Sequence, residues 1–165
     1  MQQEVITFRH ANINDKDFIL ASALQLIKIE EDCQPDVSLP TSSNFQKHLM
    51  QWISSLIDSE NHCVIITEFR HVQAACLIGT LELPKSPMLD FSLSGKIDLI
   101  WVEPAYRFQN IGRSLVSAAM EFFKENHVHH VDISHAYGNV KASNFWHNQG
   151  FKPAELTRRI VLKTS

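Results

Sequence analysis

Residues 98–115 read DLIWVEPAYRFQNIGRSL, and they are the most informative stretch of this 165-residue chain. The apolar run over 96–102 predicts a strand that stops at Glu103-Pro104. A short polar loop follows, and apolar residues at helical spacing begin at once and predict a helix over 110–127.

A strand–loop–helix junction of this kind is typical of an anion site, most naturally for phosphates. The first backbone amides of a helix have no partner within it, and the helix dipole adds positive potential. Arg107 and Arg113 would supply charge, and Ser114 would supply a hydroxyl group. The alternative is an ordinary turn with solvated arginines, and the local composition favours neither interpretation.

The remaining elements predict one mixed domain. Asn14 is the expected N-cap of the first helix, and Gly150 is expected just after the end of the last helix. The predicted segments are strand 4–10, a helix to Cys33, helix 45–57, hairpin strands 62–69 and 72–83, strand 96–103, helix 110–127, strand 128–136, helix 140–149 and strand 156–162. The order β-α-α-β-β-β-α-β-α-β predicts a mixed α/β or α+β fold in a single domain, residues 1–165.

Composition excludes several classes of protein. Apolar residues make up 44% of the chain and charged residues 20%, which argues against disorder, and the net charge is −3. Nucleic-acid binding is not expected, because phosphate neutralisation needs clustered positive charge. No apolar run approaches the ~20 residues of a membrane span, so no membrane partner is expected.

The cysteines and the first residues predict a cytoplasmic protein. Cys33, Cys63 and Cys76 are an odd, widely spaced set with no C-x-x-C motif, which fits a reducing compartment. Each is expected to be a small buried apolar residue. The opening Met-Gln-Gln-Glu shows no basic region followed by an apolar one, so no signal peptide is predicted.

Common nucleotide, nucleophile and metal motifs are absent. The five glycines form neither G-x-G-x-x-G nor a P-loop, and there is no G-x-S-x-G and no H-E-x-x-H. His127, His129 and His130 could suggest a metal, but no cysteine or carboxylate completes a tetrahedral set nearby. We therefore expect no metal. His127 is expected at a helix C-terminus, where a histidine interacts favourably with the helix dipole, and His129 and His130 are expected to begin a strand.

Two ordered blocks resemble the GNAT superfamily of N-acetyltransferases. The first matches a strand ending in V-x-P followed by R-x-x-G-x-G/A, through Val102, Pro104, Arg107, Asn110 and Gly112. The second matches N-x-x-A-x-x-Φ-Y-x-x-x-G-F in all but one place, through Asn139, Ala142, Phe145-Trp146 and Gly150-Phe151. The opening of the chain is also similar, with Arg9, Ala11 and Asp15 leading into the first helix.

The resemblance implies a fold and a co-substrate. The fold is a central mixed, mostly antiparallel sheet flanked by helices, in which strands 96–103 and 128–136 are parallel and splay apart. Acetyl-CoA would lie between these two strands, held at its pyrophosphate by the backbone amides of 108–113. The residues implied to bind it are Ile100, Trp101, Val102, Arg107, Phe108, Gln109, Asn110, Ile111, Gly112, Arg113, Ser114, Asn139, Ser143 and Trp146.

Three positions depart from the family pattern. Asn110 stands where glycine is usual, although asparagine tolerates a left-handed backbone better than most residues do. Phe108 replaces a small residue. Trp146 stands where many members carry a tyrosine that protonates the leaving thiolate, and an indole has no acidic proton to give.

The resemblance also implies acetyl transfer to an amine, which needs a base because an alkyl amine is protonated at pH 7. Asp98 is the first candidate, since family members often place an acidic residue there and its neighbours Ile97, Leu99 and Ile100 would make the carboxyl a stronger base. His135 is the second candidate. Tyr137 could replace the missing acid. Structural roles are the alternative for all three.

The acceptor and the assembly stay open. The amine would bind near the first two helices, where Glu30, Glu31, Asp32 and Asp36 form an acidic cluster, although such runs are often simply solvated. The other interpretation of the whole chain is a GNAT-like module that binds acyl-CoA without turnover. A second apolar face on helix 110–127, with Val116, Met120 and Phe123, is either core or a homodimer contact.

Overall fold

The computed structural model describes residues 6–162. Three short 3₁₀ turns lie at Ile13–Asp15, Pro35–Val37 and Pro104–Tyr106. The main elements are β1 (Ile6–His10), α1 (Lys16–Asp32), α2 (Phe45–Leu56), β2 (His62–Phe69), β3 (Val72–Glu82), β4 (Ser94–Val102), α3 (Ile111–Glu125), β5 (Val131–Ile133) and α4 (Val140–Asn148).

The five strands form one sheet in the order β1-β2-β3-β4-β5. All neighbouring pairs are antiparallel except β4 and β5, which are parallel. The predicted hairpin is confirmed: Phe69 pairs with Val72, and the two-residue turn has left-handed backbone at Arg70 (φ 50°) and His71 (φ 67°). The predicted mixed class is therefore confirmed.

Both faces of the sheet are buried, which explains the unbroken apolar runs of β2 and β3. One face packs on α1 and α2 through buried residues such as Ile19, Ile53 and Ile78. The other face packs on α3 and α4 through residues such as Leu77 and Leu115. A strand covered on both sides has no polar face, so it reads as a continuous apolar segment.

Two glycines let α3 lie close to the sheet. A Cβ at Gly95 would lie 2.6 Å from the ring of Phe123, and one at Gly79 would lie 3.0 Å from it. Phe123 and Val116 are buried, and Met120 is half-buried. The second apolar face of this helix is thus mostly core, and the homodimer alternative for it falls.

The start of α1 is fixed by an ion-paired network. Asp15 is only 2% exposed and accepts two hydrogen bonds from Arg9 (2.7 and 2.8 Å) and one from Gln73 (2.6 Å). Arg9 also binds Glu68 (2.7 Å). The Arg9 hydrogen bonds, ahead of all other causes, hold the pKa of Asp15 below its ordinary value. The network joins β1, β2 and β3 to the first helix.

The expected N-cap at Asn14 is wrong. Asn12 caps the preceding 3₁₀ turn, since its side chain accepts from the Asn14 amide (2.9 Å) while Asp15 accepts from the Asn12 amide (2.7 Å). This reciprocal capping box begins two residues earlier than predicted because a 3₁₀ turn precedes the helix. On α2, Ile53 and Leu56 are buried, whereas Trp52 is 40% exposed.

The last two predicted strands need correction. The strand expected over 128–136 is paired only over Val131–Ile133, and the strand expected over 156–162 is not formed. Residues 152–162 are exposed throughout. A strand needs a hydrogen-bonding partner, and no neighbour within the described residues supplies one for 156–162. Residues 4 and 5 of the first predicted strand lie outside the described range.

Two of the three thiols are buried, as predicted, and Cys33 is only half-buried. Burial raises the pKa of Cys63 to about 11 and that of Cys76 to about 12. Both therefore stay protonated at neutral pH.

Candidate functional site

The parallel strands β4 and β5 separate soon after they meet. They pair only from Gly95 with Val131 to Ile97 with Ile133, whereas β4 continues to Val102. The register of β4 against β3 shifts at the same point, because Ile78 pairs with Leu99 while Gly79 pairs with Ile97. Asp98 is thus the extra residue of a β-bulge, a feature that often lies beside active sites.

The loop after β4 ends with backbone amides free to bind an anion. Phe108 (φ 64°) and Asn110 (φ 61°) are both left-handed, which confirms that Asn110 adopts the backbone usually given to glycine. The first hydrogen bond of the helix runs from the Ser114 amide to the Asn110 carbonyl (3.0 Å). Within residues 6–162, no partner is described for the amides of 108–113, and they lie at the positive end of a 15-residue helix.

Arg107 in this loop and Arg113 in the first turn of α3 differ in their surroundings. Arg107 donates from Nε to the Val102 carbonyl (2.9 Å), and its guanidinium lies 4.9 Å from the centre of the Trp101 ring. The Trp101 indole in turn donates to Glu103 (3.0 Å). Arg113 is exposed on the first turn of α3. Arg107 therefore braces the end of β4, while Arg113 keeps its charge in solvent.

The carboxylate of Asp98 has polar partners. It contacts Lys96 Nζ (2.7 Å) and accepts from the Thr80 hydroxyl (2.5 Å). The apolar setting expected from its neighbours is wrong: the Asp98 carboxylate faces Lys96 and Thr80, whereas Ile97 packs in the core. The Asp98 hydrogen bond, ahead of the opposing desolvation, raises the pKa of Lys96. The raised pKa favours the ammonium form of Lys96.

His135 lies just beyond β5 and is half-buried. Its Nδ1 lies 2.9 Å from the Ala136 carbonyl oxygen. Because a carbonyl oxygen can only accept, this contact requires the proton on Nδ1 and leaves Nε2 with a free lone pair in the neutral ring. Tyr137 is 83% exposed.

Glu30 is a residue of this region that the sequence did not single out from its acidic cluster. It comes from the last turns of α1 and reaches across to the segment after β5. Its carboxylate accepts from the Ala136 amide and from Asn139 Nδ2 (2.5 Å). Asn139 is 7% exposed, and its other amide atom caps α4 by accepting from the Ala142 amide (3.0 Å).

Glu30 therefore supplies a partner for a backbone amide of the diverging strand. The position of Glu30 in the sequence already pointed to such a contact. The helix dipole disfavours acidic charge at a helix C-terminus, so a carboxylate there indicates a stabilising partner elsewhere in the fold. Close packing reinforces the junction, since a Cβ at Gly138 would lie 2.3 Å from the Cys33 carbonyl oxygen. The Asp32 carboxylate of the same cluster pairs with Lys28 (3.2 Å). Glu31 and Asp36 are exposed.

The α4 residues of the second sequence block divide between core and surface. Trp146 is 6% exposed and packs edge-on against Phe145 (5.0 Å) and Phe151 (5.1 Å). Ser143 is exposed. Gly112 allows α3 to approach α4, because a Cβ there would lie 3.2 Å from the Phe145 ring. The amide end of α3 is thus fixed against α4.

The remaining residues expected at the site surround the same loop. Ile111 is buried, Ile100 and Val102 are half-buried, and Gln109 is exposed. Within residues 6–162 there is no group of three His, Cys, Asp or Glu side chains arranged to hold a metal. The rings of His129 and His130 pack against Phe91, with ring centres 5.3 and 5.0 Å from the centre of the Phe91 ring. In the same range no helix has the length and apolar character of a membrane span.

A diverging parallel strand pair beside an unpaired helix N-terminus agrees with the comparisons. The model of the acetyltransferase (GNAT) family matches residues 24–151, and the chain belongs to this family. The resemblance stated from the two sequence blocks is therefore confirmed. A search of curated proteins finds no match.

Solved structures show the same fold at low sequence identity. The BH1408 protein from Bacillus halodurans, as a tetramutant, is 18% identical with a TM-score of 0.80, over 94% of this chain and 99% of that one. AAC(6′)-Iy, in complex with the bisubstrate analogue CoA-S-monomethyl-acetylneamine, is 12% identical with a TM-score of 0.73, over 97% and 99%. A predicted acetyltransferase with acetyl-CoA from Clostridium acetobutylicum is 14% identical with a TM-score of 0.72, over 95% and 96%.

Proposed function

We propose that this protein transfers the acetyl group of acetyl-CoA to a primary amine of a small molecule or a peptide. The observation that carries the proposal is the opening between β4 and β5 directly beside the unpartnered amides of 108–113. The first feature leaves room for an extended arm, and the second suits a pyrophosphate. Two of the solved relatives contain CoA groups, which supports the same ligand here.

The residues of the loop fit this ligand. In the proposal, the amides of 108–113 hold the pyrophosphate, and the exposed Arg113 and Ser114 add a charge and a hydroxyl. Arg107 shapes the loop, because its Nε is already bound to the Val102 carbonyl. In the proposal, main-chain groups along 100–102 that face the opening pair with the pantetheine arm and polarise the thioester carbonyl.

The reaction forms a C–N bond and breaks the C–S bond of the thioester. The amine nitrogen attacks the carbonyl carbon after losing a proton to a base, and the sulfur leaves as a thiolate. Asp98 is the first proposed base, because it sits on the bulge where the strands diverge. Its carboxylate already contacts Lys96 Nζ (2.7 Å).

His135 is the second proposed base. Its Nε2 lone pair is free in the tautomer that the Ala136 contact requires, and the residue lies just beyond the end of β5, the strand parallel to β4. A strong general acid is not needed, since a thiol of pKa ~8.5 leaves readily as the thiolate. Tyr137, which is 83% exposed, or water would supply the final proton, and Trp146 stays in its aromatic cluster.

Isothermal titration with acetyl-CoA, CoA and pantetheine tests the site. We expect micromolar binding of the first two, and loss of binding with pantetheine, which lacks the phosphates. Arg113→Ala should weaken binding about tenfold, whereas Lys124→Ala, at the opposite end of α3, should not. Absence of binding at millimolar ligand would overturn the acetyl-CoA site.

Turnover is measured by release of free thiol, with neamine, spermidine and a lysine peptide as acceptors. Asp98→Asn and His135→Gln are compared for kcat and for the KM of acetyl-CoA. The variant that removes the base should lose about 10²–10⁴-fold in kcat with little change in KM. If neither variant slows the reaction, both residues leave the mechanism. Tight binding with no turnover on any amine would favour a binding module that does not catalyse.

A further inference from the structure

The backbone amide of Ala136 is a donor that the parallel strand pair leaves without an acceptor. Ala136 is 5% exposed and lies three residues beyond the end of β5, where the strands have separated. In the paired part, the Gly95 amide donates to the His130 carbonyl (2.8 Å), so every second residue counted from His130 faces β4. Ala136 falls in that series, and a ladder that continued would pair its amide with β4. Because an unpaired buried amide is costly, the separation of the strands requires another acceptor here.

Glu30 supplies this acceptor from the last turns of α1. One of its carboxylate oxygens accepts from the Ala136 amide, and the other accepts from Asn139 Nδ2 (2.5 Å). The two donors flank a turn in which the Asn139 amide donates to the Ala136 carbonyl (2.9 Å). One carboxylate therefore holds both the segment that leaves β5 and the residue that caps α4.

A second contact joins the same two parts of the fold. Gly138 lies within the turn, and a Cβ there would overlap the carbonyl oxygen of Cys33, the residue that ends α1. Only a residue without a side chain permits such a close approach. The C-terminal end of α1 and the turn 136–139 thus meet at the Glu30 carboxylate and at a tight backbone contact.

The energetics of the helix alone do not favour a carboxylate at this position. Acidic charge near a helix C-terminus opposes the helix dipole, and alanine is at least as good a helix former as glutamate. Glu31 and Asp32 share the unfavourable position, but Glu31 is exposed and Asp32 pairs with Lys28 of the same helix (3.2 Å). Among these three carboxylates, the contacts described for residues 6–162 link only Glu30 to the connection between β5 and α4.

We propose that Glu30 is a positioning residue that keeps the opening between β4 and β5 in the shape that accepts the pantetheine arm. It acts through the Ala136 amide and the Asn139 side chain and does not touch the ligand. The connection that it holds carries His135 and Tyr137, so the same contact fixes where the second proposed base lies. This inference rests on the proposed acetyl-CoA site and adds to it the residue that holds one of its walls.

Amide hydrogen exchange without any ligand tests the contact itself. Glu30→Ala removes both acceptor oxygens and keeps a good helix former, so the Ala136 amide should exchange at least tenfold faster than in the wild type. Glu30→Gln keeps one acceptor oxygen and should give a smaller increase. Glu31→Ala, at the exposed neighbouring position, is the matched control and should leave the rate unchanged. Equal rates in the wild type and in Glu30→Ala would overturn the proposal.

Isothermal titration with acetyl-CoA tests the effect on the opening. Glu30→Ala should weaken binding about tenfold. Gly138→Ala should also weaken binding, because its methyl group would push the turn away from α1 while Glu30 is intact. Asp15→Asn is the control for stability, since it destabilises the opposite end of α1 and should keep the wild-type affinity.

The same titration separates a failure of this proposal from a failure of the proposed function. If the wild type binds acetyl-CoA and Glu30→Ala binds it equally tightly, the positioning role of Glu30 alone is rejected. The role is also rejected if Asp15→Asn loses as much affinity as Glu30→Ala, because the loss then follows stability. A wild-type chain that binds no acetyl-CoA at millimolar concentration rejects the proposed function, and the role of Glu30 at that site with it.

Discussion

Replacing the aromatic residue Phe108 by glycine should stabilise this protein. Phe108 holds a left-handed backbone (φ 64°), which costs an ordinary L-residue about 1–2 kcal/mol. Its side chain is fully exposed, at 103% of the reference area, so its removal forfeits no burial. Glycine adopts this conformation freely but loses about 0.5–1 kcal/mol through the greater freedom of its unfolded chain.

The difference predicts a gain of about 0.5–1 kcal/mol for Phe108→Gly, or about 1–4 °C in Tm for a chain of this size. Thermal and urea unfolding without ligand measure it. Phe108→Ala keeps the left-handed cost, so it should change stability by less than about 0.5 kcal/mol. Gln109→Gly, at a neighbouring position without positive φ, should destabilise by about 0.5–1 kcal/mol.

Comparing the two Phe108 variants separates relief of backbone strain from removal of the aromatic side chain. If Phe108→Ala stabilises as much as Phe108→Gly, the gain comes from removing an exposed aromatic side chain and not from backbone strain. If Phe108→Gly is less stable than wild type, the loop does not hold the left-handed geometry from which its anion site is argued.

Four further outcomes follow from the fold. Asp15→Asn should lower the free energy of unfolding by about 2 kcal/mol, because it breaks the ion pair between the buried Asp15 carboxylate and the partly exposed Arg9. Asp17→Asn, at an exposed position of the same helix, should be nearly neutral. Since the pKa of Asp15 is lowered in the folded state, wild-type stability should fall as pH drops below about 4, and Asp15→Asn should flatten that slope in urea titrations. Gly95→Ala should cost about 1–3 kcal/mol in the same titrations, because its methyl group meets Phe123 at 2.6 Å; an unchanged midpoint would mean that the helix shifts freely. With a thiol reagent at pH 8, the native protein should react quickly only at the half-buried Cys33, and at all three thiols once unfolded; three fast thiols in the native state would contradict the burial of the other two.

Local patterns were enough to locate most elements of this fold. The apolar period of 45–57, the two-residue turn at Arg70-His71 and the glycine after α4 each predicted a structure that depends on near neighbours. The anion-binding loop is equally local, because it needs only a strand end, a left-handed residue such as Asn110, and the first turn of a helix. These features could therefore be inferred from one sequence.

Contacts between segments that are distant along the chain could not be predicted from the sequence. The polar surroundings of Asp98 include Thr80, which lies 18 residues away on β3. The link from Glu30 to Asn139 spans 109 positions, and spacing along the chain gives no measure of such an approach. Both contacts depend on where the sheet and α1 bring the chain together.

The last predicted strand shows most clearly what the sequence alone could not decide. The residues of 156–162 include four large apolar side chains, three of them consecutive, and the sequence therefore favours a strand. Whether it becomes one depends on a partner strand, and within residues 6–162 the tertiary structure supplies none for it. Local sequence determined the conformational preference of each segment, whereas tertiary structure decided which segments meet, because backbone pairing and side-chain burial require a second surface.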